Sequence, residues 1–265
     1  MKEIGINELK KLQLEILIKI RNFCDSHGIT YYLAYGTLLG AVRHKGYIPW
    51  DDDIDIMMPR KDYNRFLQEF NGNYRDLVVN APELDLSYYA PYANVMDKRT
   101  LLCEPHLKHE GIGVKIDIFP IDNVPDENFL YQTVCRKSGK FNRIRGAKVA
   151  DLNYYNGFNW LKLFMKKILF IFISYPVIQK RIIELAMNCD SVVGNYVDCI
   201  VFITIKNRRF PRKCVEGYEL VDFENEKFKA PKDYDVCLKA LFGDYMKMPP
   251  KEKRVAHHNF KAYWI

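Results

Sequence analysis

Residues 51 to 55 read Asp-Asp-Asp-Ile-Asp, four carboxylates in five positions of a chain whose formal net charge is +7. A charge run is usually a solvated turn, but this one is set among Ile48, Trp50, Ile54, Ile56 and Met57 rather than among Gly, Ser and Lys. Asp51, Asp53 and Asp55 have the one-three-five spacing of a calcium loop. However, position six is Ile56 where Gly is needed and position twelve is Asp62 where Glu is needed. Two readings survive, the D-x-D metal clamp of a sugar-nucleotide glycosyltransferase and the carboxylate pair of a nucleotidyltransferase. In a strand Asp53 and Asp55 point to one face, their Cα atoms roughly 6.5 Å apart, while Ile54 and Ile56 enter the core. Such a pair repels itself unless a divalent ion neutralises it.

Upstream, "YGTLLGAVRHKG" follows an apolar stretch and opens on Gly36-Thr37. A Gly-Thr pair at a helix N-terminus offers unpaired backbone N–H groups and a hydroxyl to phosphate, which favours the nucleotidyltransferase reading. A third carboxylate is expected from a later strand, and "VKIDIFPID" presents Asp117 between Ile116 and Ile118. Arg43, with His44 and Lys45, follows the Gly-Thr helix and is a candidate for donor phosphate. Arg254, His257 and His258 near the end are candidates to close over a nucleotide, with an exposed basic tail as the alternative. Cys103, His106 and His109 in "CEPHLKH" have zinc-like spacing, but they lack a fourth ligand and Pro105 interrupts them, so a loop over an acceptor groove is the favoured reading.

The stretch "GTLLGAVRHKGYIPWDDDIDI" closely resembles the LicD-type phosphotransferases, a family whose relatives include the fukutin-related proteins. The resemblance continues through "VKIDIFPID" and into "FENEKFKAPKDYDVCLKALFGDYMKMPP" and "KRVAHHNFKAYW"; it is weak between residues 126 and 215. It implies a nucleotidyltransferase-like fold that moves a phospho-alcohol, phosphocholine first, from a CDP-activated donor such as CDP-choline. The acceptor it implies is a hydroxyl of a cell-surface glycan or lipid-linked oligosaccharide, teichoic acid or lipopolysaccharide for example. It also implies catalysis by Mg²⁺, two ions replaceable by Mn²⁺, with Asp53, Asp55 and Asp117 at the positions of the family's metal-binding carboxylates and Asp51 at a further family Asp. Gly36, Thr37 and Arg43 are then the donor-binding candidates. Two alternatives stay open: a nucleotidyltransferase that modifies a small molecule with release of pyrophosphate, and a non-catalytic glycan-surface binding protein.

Elements must position these groups. The opening residues Ile6, Leu9, Leu12, Ile16, Ile20 and Phe23 recur at helical spacing, with Gly28 just beyond. "ITYYLAYG" reads as a strand, "TLLGAVRHKG" as a short helix closed by Gly46, and "DIDIMM" as a strand ended by Pro59. "RKDYNRFLQEFNG" returns to helical spacing, and "SYYAPYANVMD", "TLLCE" and "GVKIDIFPID" read as strands. Beyond residue 126 the pattern is mainly helical: "ENFLYQTVCRKSGKFNRIR", the run "NWLKLFMKKILFIFISYPVIQKRIIELAMN", and "PKDYDVCLKALFG". The expected fold class is α+β, a mixed nucleotidyltransferase-like sheet with flanking helices. Residues 1–125 form the catalytic core, and 126–265 a helical portion that completes the donor and acceptor site without folding alone.

Composition excludes several classes. With 265 residues, 48% hydrophobic and 28% charged, the chain can bury a core without staples, and disorder is excluded. Its basic residues are scattered in short groups rather than one block, so no nucleic acid is expected as partner. Seven cysteines with no C-x-x-C pair read as reduced thiols, and Lys10, Lys11, Glu15 and Lys19 punctuate the first helix, unlike a signal peptide. The expectation is a cytoplasmic protein, with the inner face of the plasma membrane as a further setting. Residues 160–178 have too short an uninterrupted apolar stretch to span a bilayer, so a buried helix is expected, with peripheral membrane contact as the alternative.

Overall fold

The computed structural model describes residues 1–108, 111–191, 194–203, 208–255 and 260–265. A short strand β1 (Lys2–Ile4) leads into helix α1 (Ile6–His27), whose stripe of Leu9, Leu12, Ile16, Leu17, Ile20 and Phe23 is buried. Gly28 ends it in the left-handed conformation, as its place after the last apolar residue predicts. The expected strand at residues 29–36 shrinks to β2 (Tyr32–Leu33), because helix α2 (Tyr35–His44) already starts at Tyr35. The left-handed residue that closes α2 is Lys45, not Gly46. Gly46 has a different duty: a Cβ there would lie 2.4 Å from Glu224 Oε1. At Gly40 a Cβ would meet the Gly46 carbonyl oxygen at 2.4 Å, so this glycine lets α2 and the following loop touch backbone to backbone.

Strand β3 (Asp55–Pro59) is shorter than its alternation suggests and starts at Asp55. Asp53 therefore sits in the irregular segment before the strand, not within it. Helix α3 (Arg60–Glu69) follows, then β4 (Leu77–Asn80), β5 (Ala93–Asp97), β6 (Thr100–Cys103) and β7 (Lys115–Val124). The strand β4 has no separate expectation in the sequence, and the "SYYAPY" portion ahead of β5 is irregular, Pro91 removing a ladder donor.

The main sheet runs in the order β2-β3-β7-β5-β4, with β3 and β7 parallel and the other neighbours antiparallel. Along β3 and β7 the side chains alternate between two cores. Ile56, Met58, Ile116 and Ile118 join α1 and α3 on one face, while Met57, Phe119 and Ile121 join helices from the second half on the other. Those helices are α4 (Asn128–Val149) and α6 (Tyr175–Asp190), while α5 (Gly157–Leu169) packs apart from this core, through Leu163, against the end of α4. The first face is pinned by a buried fork in which Arg60 Nε and Nη2 donate to Asp122 at 2.6 and 3.1 Å, with Glu83 also accepting from Arg60 at 3.2 Å.

The second half is not only helical. Strand β8 (Tyr196–Asp198) extends the sheet from the end of β7 and pairs with β9 (Phe210–Pro211). A hairpin of β10 (Tyr218–Phe223) and β11 (Glu226–Pro231) precedes helix α7 (Tyr234–Phe242), and β12 (Lys261–Trp264) lies between β1 and β6. Phe223, Phe228, Leu238 and Ala262 share one core with α1 and α3, so both chain halves build that core.

Two expectations for residues 159–188 are corrected. The run is two helices, because Ser174 precedes a first turn containing Pro176, an arrangement that starts a helix. Nor is its first part buried: α5 buries only Leu163, leaving Phe158, Leu161, Met165, Ile168 and Leu169 in solvent. No helix among the described residues is long and apolar enough to cross a membrane. All seven cysteines are unpaired thiols.

Candidate active site

The parallel register of β3 and β7 sets Asp55 beside Asp117. Because neighbours in register point the same way, both carboxylates share the face that also carries Met57 and Phe119, while Ile54, Ile56, Ile116 and Ile118 are buried on the other. Two cavities meet there. The first, about 600 Å³, is lined by Tyr35, Gly36, Asp51, Asp53 and Asp55, by the basic side chains of Arg43, Arg208, Lys247 and Lys253, and by Trp50, Phe119 and Phe202. The second, about 370 Å³, is lined by Asp53, Lys115 and Asp117, by Tyr89, Tyr92, Glu104, His106, Arg145 and Tyr155, and again by Phe202. Asp53 thus belongs to the wall between them.

Loss of solvent and the charges of Asp53, Asp117 and Asp51 push the Asp55 carboxyl well above the ordinary carboxylate range. A bound cation would remove that penalty. Among the described residues, the carboxylate oxygens of Asp51, Asp52 and Asp53 lie within 4.8 Å of one another. The expected set was Asp53, Asp55 and Asp117. Only Asp53 is common to both, and the acidic wall is broader than the spacing alone suggests. An all-oxygen donor set of this kind fits a hard divalent cation.

The remaining candidates fall as follows. Gly36, in the first turn of α2, lines the first cavity, and a Cβ on it would stand 2.7 Å from Asp51 Oδ2, so glycine lets Asp51 rest against the helix start. Beside it Tyr35 has a left-handed φ of 44°, a strained conformation for a bulky residue. Thr37 is buried, and its Oγ1 accepts the Asp55 N–H at 2.8 Å. It is placed to hold the strand that carries Asp55, and it lines neither cavity. Arg43 reaches the first cavity and donates from Nη1 to the Tyr245 carbonyl at 2.8 Å; burial and the neighbouring Arg254 lower its pKa. Arg254 lies over the Trp50 ring at 5.8 Å and donates to the Pro249 carbonyl. His257 and His258 lie outside the described residues, as does His109; Cys103 is exposed on β6 and His106 lines the second cavity.

Some site residues escape sequence reasoning. Lys115 Nζ contacts both oxygens of Asp117, at 2.8 and 2.9 Å. Burial opposes its charge, but the Asp117 carboxylate prevails and holds the ammonium's pKa well above the ordinary lysine value. Arg145 and Arg208 come from segments without any motif. Arg208 Nε is buried and finds no hydrogen-bond partner among the described residues. Asp52 and Lys115 have a visible signal, their places within the acidic run and within "VKIDIFPID".

Comparison with known proteins places the sequence in a family. The sequence model of the LicD/FKTN/FKRP nucleotidyltransferase domain matches residues 28–134, which hold α2, the acidic run and β7. The chain is 30% identical to the lipopolysaccharide cholinephosphotransferase LicD of Haemophilus influenzae over 280 aligned positions, covering 99% of each protein. Shorter similarities reach an uncharacterized protein of Rickettsia typhi, 44% identical over 69 residues that cover 26% of this chain and 22% of that one. Another reaches mannosyltransferase regulator 4 of Saccharomyces cerevisiae, 30% identical over 99 residues, 36% of this chain and 8% of the yeast protein. With the full-length similarity to a LicD protein and the family's domain lying over the acidic site, the chain belongs to the LicD family.

Proposed function

We propose that this protein transfers phosphocholine, or a closely related phospho-alcohol, from a CDP-activated donor to a hydroxyl of a cell-surface glycan. The observation that carries the proposal is the position of Asp53 in the wall between two cavities, one rich in basic side chains and one holding Asp117. The name of the Haemophilus influenzae relative supports the choice of phosphocholine and of a lipopolysaccharide-type acceptor. The first cavity takes the donor, with Arg43, Arg208, Lys247 and Lys253 available to its phosphate charge and the N-terminus of α2 directed at the same space. A cavity of this volume suits one small ligand.

Mg²⁺, with Mn²⁺ able to replace it, would be held by Asp53 and Asp55, joined by Asp51 and Asp52 and by Asp117 on the side of the second cavity; it supplies neutralisation of the diphosphate and of the leaving group. The chain's own residues do the rest. The acceptor sits in the second cavity, its hydroxyl beside Asp117. The hydroxyl oxygen bonds to the phosphorus that bears choline, the bond from that phosphorus to the CMP oxygen breaks, CMP leaves, and the hydroxyl proton passes to the Asp117 carboxylate. Lys115 holds Asp117 in place through the contacts of its ammonium with both carboxylate oxygens. Incubation with CDP-choline, Mg²⁺ and a lipopolysaccharide acceptor tests the proposal. Acceptor-dependent CMP release is expected; release of pyrophosphate from a nucleoside triphosphate instead would make the protein a nucleotidyltransferase and overturn it.

A further inference from the structure

Helix α5 touches the rest of the protein through Leu163, which packs with Ala147 and Ala150 of the α4 end, and through Lys167, which donates to the Lys148 carbonyl at 3.1 Å. On the opposite side Phe158, Leu161, Met165 and Ile168 recur at three- and four-residue intervals, and they are continued by Leu169 and Phe172, the latter 98% exposed. A monomeric soluble surface seldom keeps such a stripe in water. Its borders are basic and aromatic. Lys162 and Lys166 stand along one edge, Lys162 Nζ lying 4.2 Å from the Phe158 ring centroid, and Trp160 stacks on Phe164 along the other. No acidic residue occurs between Asp151 and Glu184, whereas Lys162, Lys166, Lys167, Lys180 and Arg181 do.

We infer that α5 is a membrane-surface anchor that lies in the headgroup plane of an anionic bilayer, its apolar stripe entering the acyl boundary. Long lysine stems and an indole at the edge of an apolar stripe suit that interface, where each has one wet and one apolar end. The charge distribution selects this occupant over a second copy of the chain. A two-fold contact through the same face would set Lys162 and Lys166 against their own copies, with no acid nearby to compensate. The anchor also has a place in the reaction proposed above, a link that rests on that reading. Leu163 of α5 packs on Ala150, and Ala150 and Tyr155 line the second cavity, so an acceptor embedded in the membrane would meet that cavity at its own surface.

Flotation of the full-length protein with vesicles tests the anchor without donor, acceptor or metal, so its result is independent of the transferase reading. The protein is expected to float with vesicles of phosphatidylcholine and phosphatidylglycerol, and far less with phosphatidylcholine alone. Leu161→Asp with Ile168→Asp should lower binding on the order of a hundredfold or more, and Lys162→Gln with Lys166→Gln about fivefold for each lysine. Since all four side chains are exposed, both variants should melt as the wild type does. Their turnover on a water-soluble acceptor should also be unchanged. A wild-type protein that stays with the bulk solution, variants that float undiminished, or a concentration-dependent dimer abolished by Leu161→Asp and Ile168→Asp would each overturn the inference.

Discussion

Thr37→Val separates two duties that a threonine at this place could have. Its side-chain oxygen accepts the Asp55 N–H at 2.8 Å, and the residue is 4% exposed. Valine keeps the shape but leaves that amide without a partner, at a cost of about 1–3 kcal/mol. In a chain near this size each kcal/mol lowers the melting temperature by about 2–4 °C, so a fall of roughly 2–12 °C is expected. Because Asp55 opens β3 on that amide, its carboxylate moves with it, and donor affinity should fall together with stability. Thr37→Ser keeps the oxygen and loses one methyl, about 0.8 kcal/mol, so turnover should persist. Differential scanning calorimetry paired with donor titration of both variants reads the two effects. If Thr37→Val melted like the wild type while donor binding disappeared, the hydroxyl would be bonding phosphate directly and the assignment to strand support would be wrong.

Asp117→Asn should bind the CDP-alcohol with Mg²⁺ at close to wild-type affinity yet lose on the order of 10²-fold or more in CMP release, the scale of general-base catalysis; Lys115→Met in the same background separates loss of the base from the burden of an unpaired ammonium. Asp53→Asn, by contrast, should lose metal-dependent donor binding itself, as calorimetric titration would detect. Gly36→Ala is expected to displace the Asp51 carboxylate, from which its Cβ would be 2.7 Å, lowering turnover with little change in melting temperature; unchanged turnover would show that Asp51 has no part in the reaction. Arg60→Met strands the buried Asp122 carboxylate, costing about 3–5 kcal/mol, measured by denaturant unfolding.

What the sequence by itself determined is local. The period of α1 and its glycine stop, the isoleucines that alternate with Asp55 and Asp117, and the acidic run itself are all set by neighbours within one element, where apolar side chains must leave water together. The Asp53, Asp55 and Asp117 candidates were legible for that reason. Three things were decided only by tertiary structure. Thr37 was expected at phosphate, but the chain turns back so that the Asp55 amide claims its oxygen, a contact between residues with no local pattern linking them. The β10–β11 hairpin was hidden because charged residues interrupt both strands and its turn, Glu224-Asn225, lacks glycine; what holds it is Phe223 and Phe228 entering a core made mostly by the other half of the chain. Helix α5 has the composition of a buried segment, and nothing local distinguishes a helix covered by protein from one covered by something else. Burial is a property of what packs against a face. Whether Leu163 alone or the whole apolar surface of α5 would find a neighbour was settled by where α4 ends.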